Sequence, residues 1–100
     1  MRMMMRISVP VEAGNKAIED GSLPRVIQET MERVKPESAY FTVQNGVRTA
    51  FMFFEMTEST QMPAIGEPLF THLKAGIDIT PVMNAQELQR GLSALAPPRR

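Results

Sequence analysis

Asn45-Gly46-Val47-Arg48-Thr49-Ala50-Phe51-Met52-Phe53-Phe54-Glu55-Met56 is the stretch that decides how this chain folds. Asn-Gly is the strongest short-range hairpin signal, because both residues tolerate the positive φ that a tight two-residue turn demands. The run after it reads as a strand, with Ala50, Met52, Phe54 and Met56 on one face and Phe51 and Phe53 on the other. A strand in a single sheet that carries helices on one side only should alternate apolar with polar. The second apolar face therefore needs a cover. A chain of 100 residues has little left over to supply one. Another subunit or a ligand is implied.

Upstream of the turn, residues 37–44 form the partner strand. A two-residue turn sets the register: Gln44 opposite Val47, Thr42 opposite Thr49 and Tyr40 opposite Phe51 on one face. Val43 with Arg48, Phe41 with Ala50 and Ala39 with Met52 pair on the other. The Ala39, Phe41, Val43, Ala50, Met52, Phe54 face is nearly all apolar and is expected to meet helices. The Tyr40, Thr42, Gln44, Thr49, Phe51, Phe53 face is aromatic and hydroxylated, and suits neither a core nor an ordinary wet surface.

Towards the N-terminus, residues 3–9 alternate as a strand, with Met3, Met5, Ile7 and Val9 on one side and Met4, Arg6 and Ser8 on the other. Pro10 ends it. Residues 12–20 suit a short helix with a thin apolar side of Ala13, Ala17 and Ile18, stopped by Gly21. Ser22 is the expected N-cap of the best amphipathic helix, with Pro24 in its first turn and Leu23, Val26, Ile27, Met31 and Val34 at helical spacing. Pro36 closes it.

Downstream, Met62, Ile65, Leu69 and Leu73 make a helical stripe flanked by Phe70 and His72. Pro68 inside it predicts a kink or a helix restarting near Glu67. Gly76 is the expected C-cap. Residues 77–83 read as a fourth strand, placed at a sheet edge because Pro81 cannot donate to a ladder. Asn84-Ala85-Gln86-Glu87 resembles a capping box and opens a last helix with the stripe Leu88, Leu92, Leu95. Residues 97–100 are a tail, and residues 1–96 are expected to be one domain.

The expected fold class is α+β. The order strand, helix, strand, strand, helix, strand is the split βαβ, ferredoxin-like βαββαβ pattern, here with a four-stranded antiparallel sheet, helices on one face and an added C-terminal helix. Lys35-Pro36-Glu37-Ser38-Ala39-Tyr40-Phe41, Gly46-Val47-Arg48-Thr49, Glu67-Pro68-Leu69-Phe70 and Pro81-Val82-Met83 give the chain a resemblance, over roughly residues 3 to 95, to the dimeric α+β barrel superfamily. More narrowly, it is similar to uncharacterised small bacterial proteins of that group. The resemblance implies a barrel made by two subunits, with the open faces of two sheets packed together. It also implies the cover that Phe51 and Phe53 lack.

Composition narrows the function classes. Hydrophobic residues make up 43% and charged residues 22%, values of a folded globular chain. Lys+Arg and Asp+Glu each number 11, and no basic stripe exists to release counterions from nucleic acid, so no nucleic-acid partner is expected. The chain has no cysteine, which excludes disulfides, thiolate metal sites and thiol nucleophiles. The start Met1-Arg2-Met3-Met4-Met5-Arg6 has no apolar core of a signal peptide, and no run approaches the ~20 residues of a membrane span. A cytoplasmic protein without a membrane partner is expected. The glycines are isolated and build no phosphate loop; neither cofactor nor metal is expected.

The candidate site is the open sheet face. A four-stranded sheet with strands ~4.8 Å apart and ~18 Å long presents roughly 350 Å² in projection, and an aromatic patch on that scale is near what a monomer tolerates. A second subunit that buries even ~500 Å² of apolar surface gains about 12 kcal/mol before entropy costs. Arg6, Tyr40, Thr42, Thr49, Phe51, Phe53 and Asp78 share this face and are the residues of an expected interface or ligand cavity. Arg6 suits a planar anion or carboxylate, since a guanidinium binds one in a bidentate way. Its plainer role is an ion pair with Asp78 or Glu55. Tyr40 offers a hydroxyl to a ligand, or is an interface aromatic with one wet end. His72, the only histidine, is the candidate general acid or base, because imidazole alone titrates unperturbed near neutrality. Its plainer role is a histidine at the core edge. Ser59 and Thr60 lack any nucleophile context.

Two functions fit. One is a non-enzymatic homodimeric module, structural or binding a small apolar or anionic ligand. The other is a small cofactor-independent enzyme of isomerase or oxygenase type, acting on an apolar or aromatic compound beneath the sheet. It rests on the superfamily and on Arg6, Tyr40 and His72. A closed cavity of ~300 Å³ or more on this face would favour a ligand or substrate.

Overall fold

Alternation builds the first strand. In the computed structural model, which describes residues 1–95, Met3, Met5, Ile7 and Val9 are buried and Arg2, Met4, Arg6 and Ser8 are half-buried along β1 (Arg2–Val9). Two helices follow, α1 (Val11–Glu19) and α2 (Ser22–Val34), and then the hairpin β2 (Ser38–Gln44) and β3 (Val47–Glu55). A one-turn 3-10 helix (Ser59–Gln61) leads into α3 (Met62–Leu73), followed by β4 (Gly76–Pro81) and α4 (Ala85–Ser93). The chain is α+β, with four helices and one open antiparallel sheet of order β2-β3-β1-β4 among the described residues. The expected tail at 97–100 lies outside the described residues.

The hairpin has the register that the sequence requires: Gln44 opposite Val47, Thr42 opposite Thr49, Tyr40 opposite Phe51. Asn45 (φ 56°) and Gly46 (φ 78°) are both left-handed, the backbone of a tight primed turn that matches the twist of the two strands. β1 lies between β3 and β4, with Met5 opposite Met52 on one side and Ile79 on the other. β4 is an edge strand, as Pro81 demands.

One core forms on one side of the sheet. Met3, Met5, Ile7, Val9, Ala50, Met52 and Phe54 from the strands cluster with Ala17 of α1, Val26 and Val34 of α2, and Ile65, Leu69 and Leu73 of α3. Thr30, buried on α2, donates its hydroxyl to the Val26 carbonyl at 2.8 Å, so the core carries no unsatisfied hydroxyl there.

Four local expectations change. Of the kink or restart expected at Pro68, the restart does not occur: α3 runs as one helix from Met62 to Leu73. Proline costs the helix its bond to the Ala64 carbonyl, but Ala64 is exposed and water can take that bond. Gly76 is the first residue of β4, and Lys74, left-handed at φ 52°, closes α3 in its place. Gly21 holds the N-cap position of α2 that Ser22 was expected to hold. Ser22 is the first helical residue, and its N–H donates to the Asp20 carboxylate at 2.9 Å. The helices do not cover β2: Phe41 and Val43, expected in the core, are 58% and 71% exposed. The core helices pack over β1 and β3 and reach β2 only at its start, where Ala39 is half-buried against the core, leaving the strand exposed from Tyr40 onward.

Candidate functional site

On the open face the strands align their side chains in rows. Pairing places Asp78, Arg6, Phe51 and Tyr40 in one line across all four strands. Thr80, Met4, Phe53 and Ser38 make the next row towards the start of β1, and Gly76, Ser8, Thr49 and Thr42 the row on the other side. The seven residues named from the sequence for this face, Arg6, Tyr40, Thr42, Thr49, Phe51, Phe53 and Asp78, therefore share it within three adjacent rows. Phe51 and Phe53 are half-buried, Tyr40 is exposed, and Thr49 is buried with its hydroxyl donating to the Val47 carbonyl at 3.0 Å.

Arg6 is engaged. Its Nη2 donates to Asp78 Oδ2 at 2.6 Å and its Nε to the same oxygen at 3.2 Å; Nη1 reaches Gln44 Oε1 at 3.4 Å. Of the two acids named for it, Asp78 is the partner and Glu55 is not. Both side chains remain part-exposed, which keeps the pair screened and weak in one subunit.

His72 stands elsewhere. It lies exposed in the last turn of α3, at a shallow surface site shared with Lys16, Asp20, Ser22 and Lys74. α3 packs on the helix side of the sheet, so the imidazole and the Arg6–Tyr40 row belong to opposite sides. No acid–base constellation joins His72 to Arg6 or Tyr40.

Where the open face ends, α4 begins. Arg2 projects from the start of β1 on the open side, and its Nη1 donates to Glu87 Oε1 at 2.6 Å. Glu87 also accepts the Asn84 N–H at 2.8 Å, and Asn84 Oδ1 accepts the Glu87 N–H at 2.8 Å, a complete capping box. The Asn84 N–H first, and Arg2 second, hold the Glu87 carboxyl below its ordinary range. From this anchored start α4 carries no buried residue, and Leu88, Leu92 and Leu95 are exposed.

An apolar concavity lies on the helix side, where the sequence drew attention to no site. It encloses about 330 Å³ between the first turn of α2 and the uncovered part of β2 and β3, with Ile7, Val9, Leu23, Pro24, Ile27, Phe41 and Ala50 as its walls and Arg48 at its rim. Thr42 and Thr49 border it as well. The signal for it was present in the pairing: Arg48 falls on the same face as Ala50, Met52 and Phe54, a charge ending an apolar row. Among the described residues no helix is long and apolar enough to cross a membrane, and no three acidic or imidazole groups converge as a metal site. Compared with protein-family models and with curated proteins, the chain matches none.

Proposed function

We propose that this chain is a non-enzymatic homodimeric module, ferredoxin-like in fold, whose open sheet face packs against that of a second copy. The Asp78–Arg6–Phe51–Tyr40 row carries the reading. It places a tyrosine that is 63% exposed and a phenylalanine side by side on a surface that no described element of the same chain covers. The strand order β2-β3-β1-β4, with β1 and β3 central, supports the ferredoxin-like topology. The exposed leucines of α4 point to the same partner, since Arg2 anchors that helix at the end of the open face. Burial of the face would bring the Arg6–Asp78 pair out of water as a matched unit, the arrangement in which a charge is tolerated at an interface.

The enzyme reading, an isomerase or oxygenase with its cavity under the sheet, needs a base there. Its one named candidate, His72, belongs to the helix layer.

Sedimentation equilibrium tests the proposal. The wild-type chain is expected to be a dimer at micromolar concentration. Phe51→Lys is expected to shift it to monomer, because an ammonium set beside Arg6, whose acid Asp78 is already engaged, is buried without a partner. A wild-type monomer across the accessible concentration range refutes the reading.

A further inference from the structure

We infer that the concavity between α2 and β2 is a binding site for a small amphiphilic anion, its apolar part lying on Ile27 and Phe41 and its carboxylate on Arg48. The site lies on the helix side of the sheet and meets the open face only at Thr42 and Thr49, and the inference stands without the dimer.

Three observations converge. The first is Phe41. Register puts it opposite Ala50 on the core side of the sheet, yet it is 58% exposed because no helix lies over it. It is an aromatic wall with one side unoccupied. The second is size and lining. About 330 Å³ is at the lower end of ordinary ligand pockets. It corresponds to about eleven waters at ~30 Å³ each, the size of a compound of about ten non-hydrogen atoms. The walls are aliphatic or aromatic apart from Arg48 and the two threonines.

The third is Arg48 itself. It is half-buried and makes no ion pair among the described residues. One nitrogen, Nη2, donates to the Asn15 side-chain oxygen at 3.1 Å, a neutral acceptor that fixes the plane of the guanidinium and leaves its charge uncompensated. Space for that guanidinium is cut into α1. A Cβ on Gly14 would collide with Nη1 and stand 3.2 Å from Cζ, so glycine at this buried helical position is what lets the guanidinium settle there. A cation positioned at the rim of an apolar cleft, with donors to spare, complements a planar anion that carries an apolar tail. A neutral apolar ligand has no use for it, and a hydrophilic anion has no use for the walls.

Octanoate is the probe, with octanol as its uncharged counterpart. Calorimetric titration, with amide shifts of Ile27, Phe41 and Ala50 followed by NMR, reads binding and its place. Octanoate is expected to bind and to shift those amides, and octanol to bind at least about tenfold more weakly, the worth of a hydrogen bond to a charged group. Arg48→Gln is expected to bring octanoate down to the level of octanol. Gly14→Ala keeps the charge but displaces it. It is expected to weaken octanoate several-fold while the chain stays folded, since alanine is the better helix former. Equal binding of octanoate and octanol, shifts confined to other residues, or no binding of either overturns the assignment. The oligomeric state measured in the same samples keeps this outcome apart from that of the dimer proposal.

Discussion

Phe41 and Ala50 stand opposite one another on the same side of the same hairpin, yet Ala50 is 5% exposed and Phe41 58%. The core ends between them. Large-to-small changes on the two sides of this boundary should therefore separate. Phe54→Ala, at a site that is 1% exposed, is expected to cost roughly 3–5 kcal/mol of unfolding free energy. Phe41→Ala should cost about 1 kcal/mol or less. Urea unfolding followed by circular dichroism gives both values. A Phe41 cost equal to that of Phe54 would place a cover over β2 in solution.

The leucines of α4 offer a second separation. Leu88→Ser with Leu92→Ser removes apolar surface that lies outside the core cluster. Unfolding of the body should stay within about 0.5 kcal/mol of wild type, the ordinary range for surface changes. If the stripe meets a second copy, self-association should weaken by about tenfold for each leucine, from about 1.5 kcal/mol apiece. Sedimentation equilibrium and urea unfolding on the same double variant check the two halves.

Acid should loosen the start of α4 before it unfolds the body. The carboxyl of Glu87 is held below its ordinary value of 4.5, first by the Asn84 N–H and then by Arg2. A group whose folded pKa is depressed contributes stability at pH above its unfolded value and loses it as pH falls through the folded one. The contribution is thus complete at neutrality and disappears below about pH 4.5. The amide resonances of Asn84 and Glu87, titrated from pH 6 downward, should move before those of Met5 or Met52. Glu87→Gln should abolish that early phase and make the α4 amides insensitive to pH over the window. High salt should weaken the Arg2 part of it.

The turn is a fourth test. Gly46 at φ 78° occupies backbone that side chains rarely adopt. Gly46→Ala has open space around the new Cβ, so any loss comes from conformation and not from collision. A destabilisation of about 1–2 kcal/mol is expected. Asn45→Gly, at φ 56°, should be neutral within about 0.5 kcal/mol.

Pattern at short range carried far in this chain. Asn45-Gly46 fixes the pairing of every residue from Ala39 to Met52, since the turn and the period of two allow one register. Pro81 at an edge and the Asn84–Glu87 cap follow from what proline lacks and what asparagine and glutamate can reciprocate. The errors arise where tertiary packing decides. Pro68 predicts a kink or a restart, and burial of Ile65, Leu69 and Leu73 along one stripe removes the restart by holding α3 together across it. Parity puts Phe41 and Val43 with the core, but parity says which side of a sheet a residue faces and nothing of how far the helices extend over it. For the same reason the concavity was missed: Leu23, Ile27 and Phe41 come from separate elements, and only the spacing between α2 and β2 opens a gap among them. Arg6 could be given a side and a set of acids, but the choice of Asp78 over Glu55 depends on which strand lies beside β1.

The exposed flank of β2 has a cost that concerns the life of the chain before it reaches its folded state. Ser38-Ala39-Tyr40-Phe41-Thr42-Val43-Gln44 contains no charge and no proline, and its residues favour extended backbone. It is also an edge strand, with one row of backbone donors and acceptors open to any other strand. Lys35, Pro36 and Glu37 before it and Arg48 beyond the turn stand outside it as gatekeepers. This heptad is where nascent or overexpressed chains are expected to adhere to one another, and a charge at Val43, which is 71% exposed, is expected to lower that aggregation at least expense to the core.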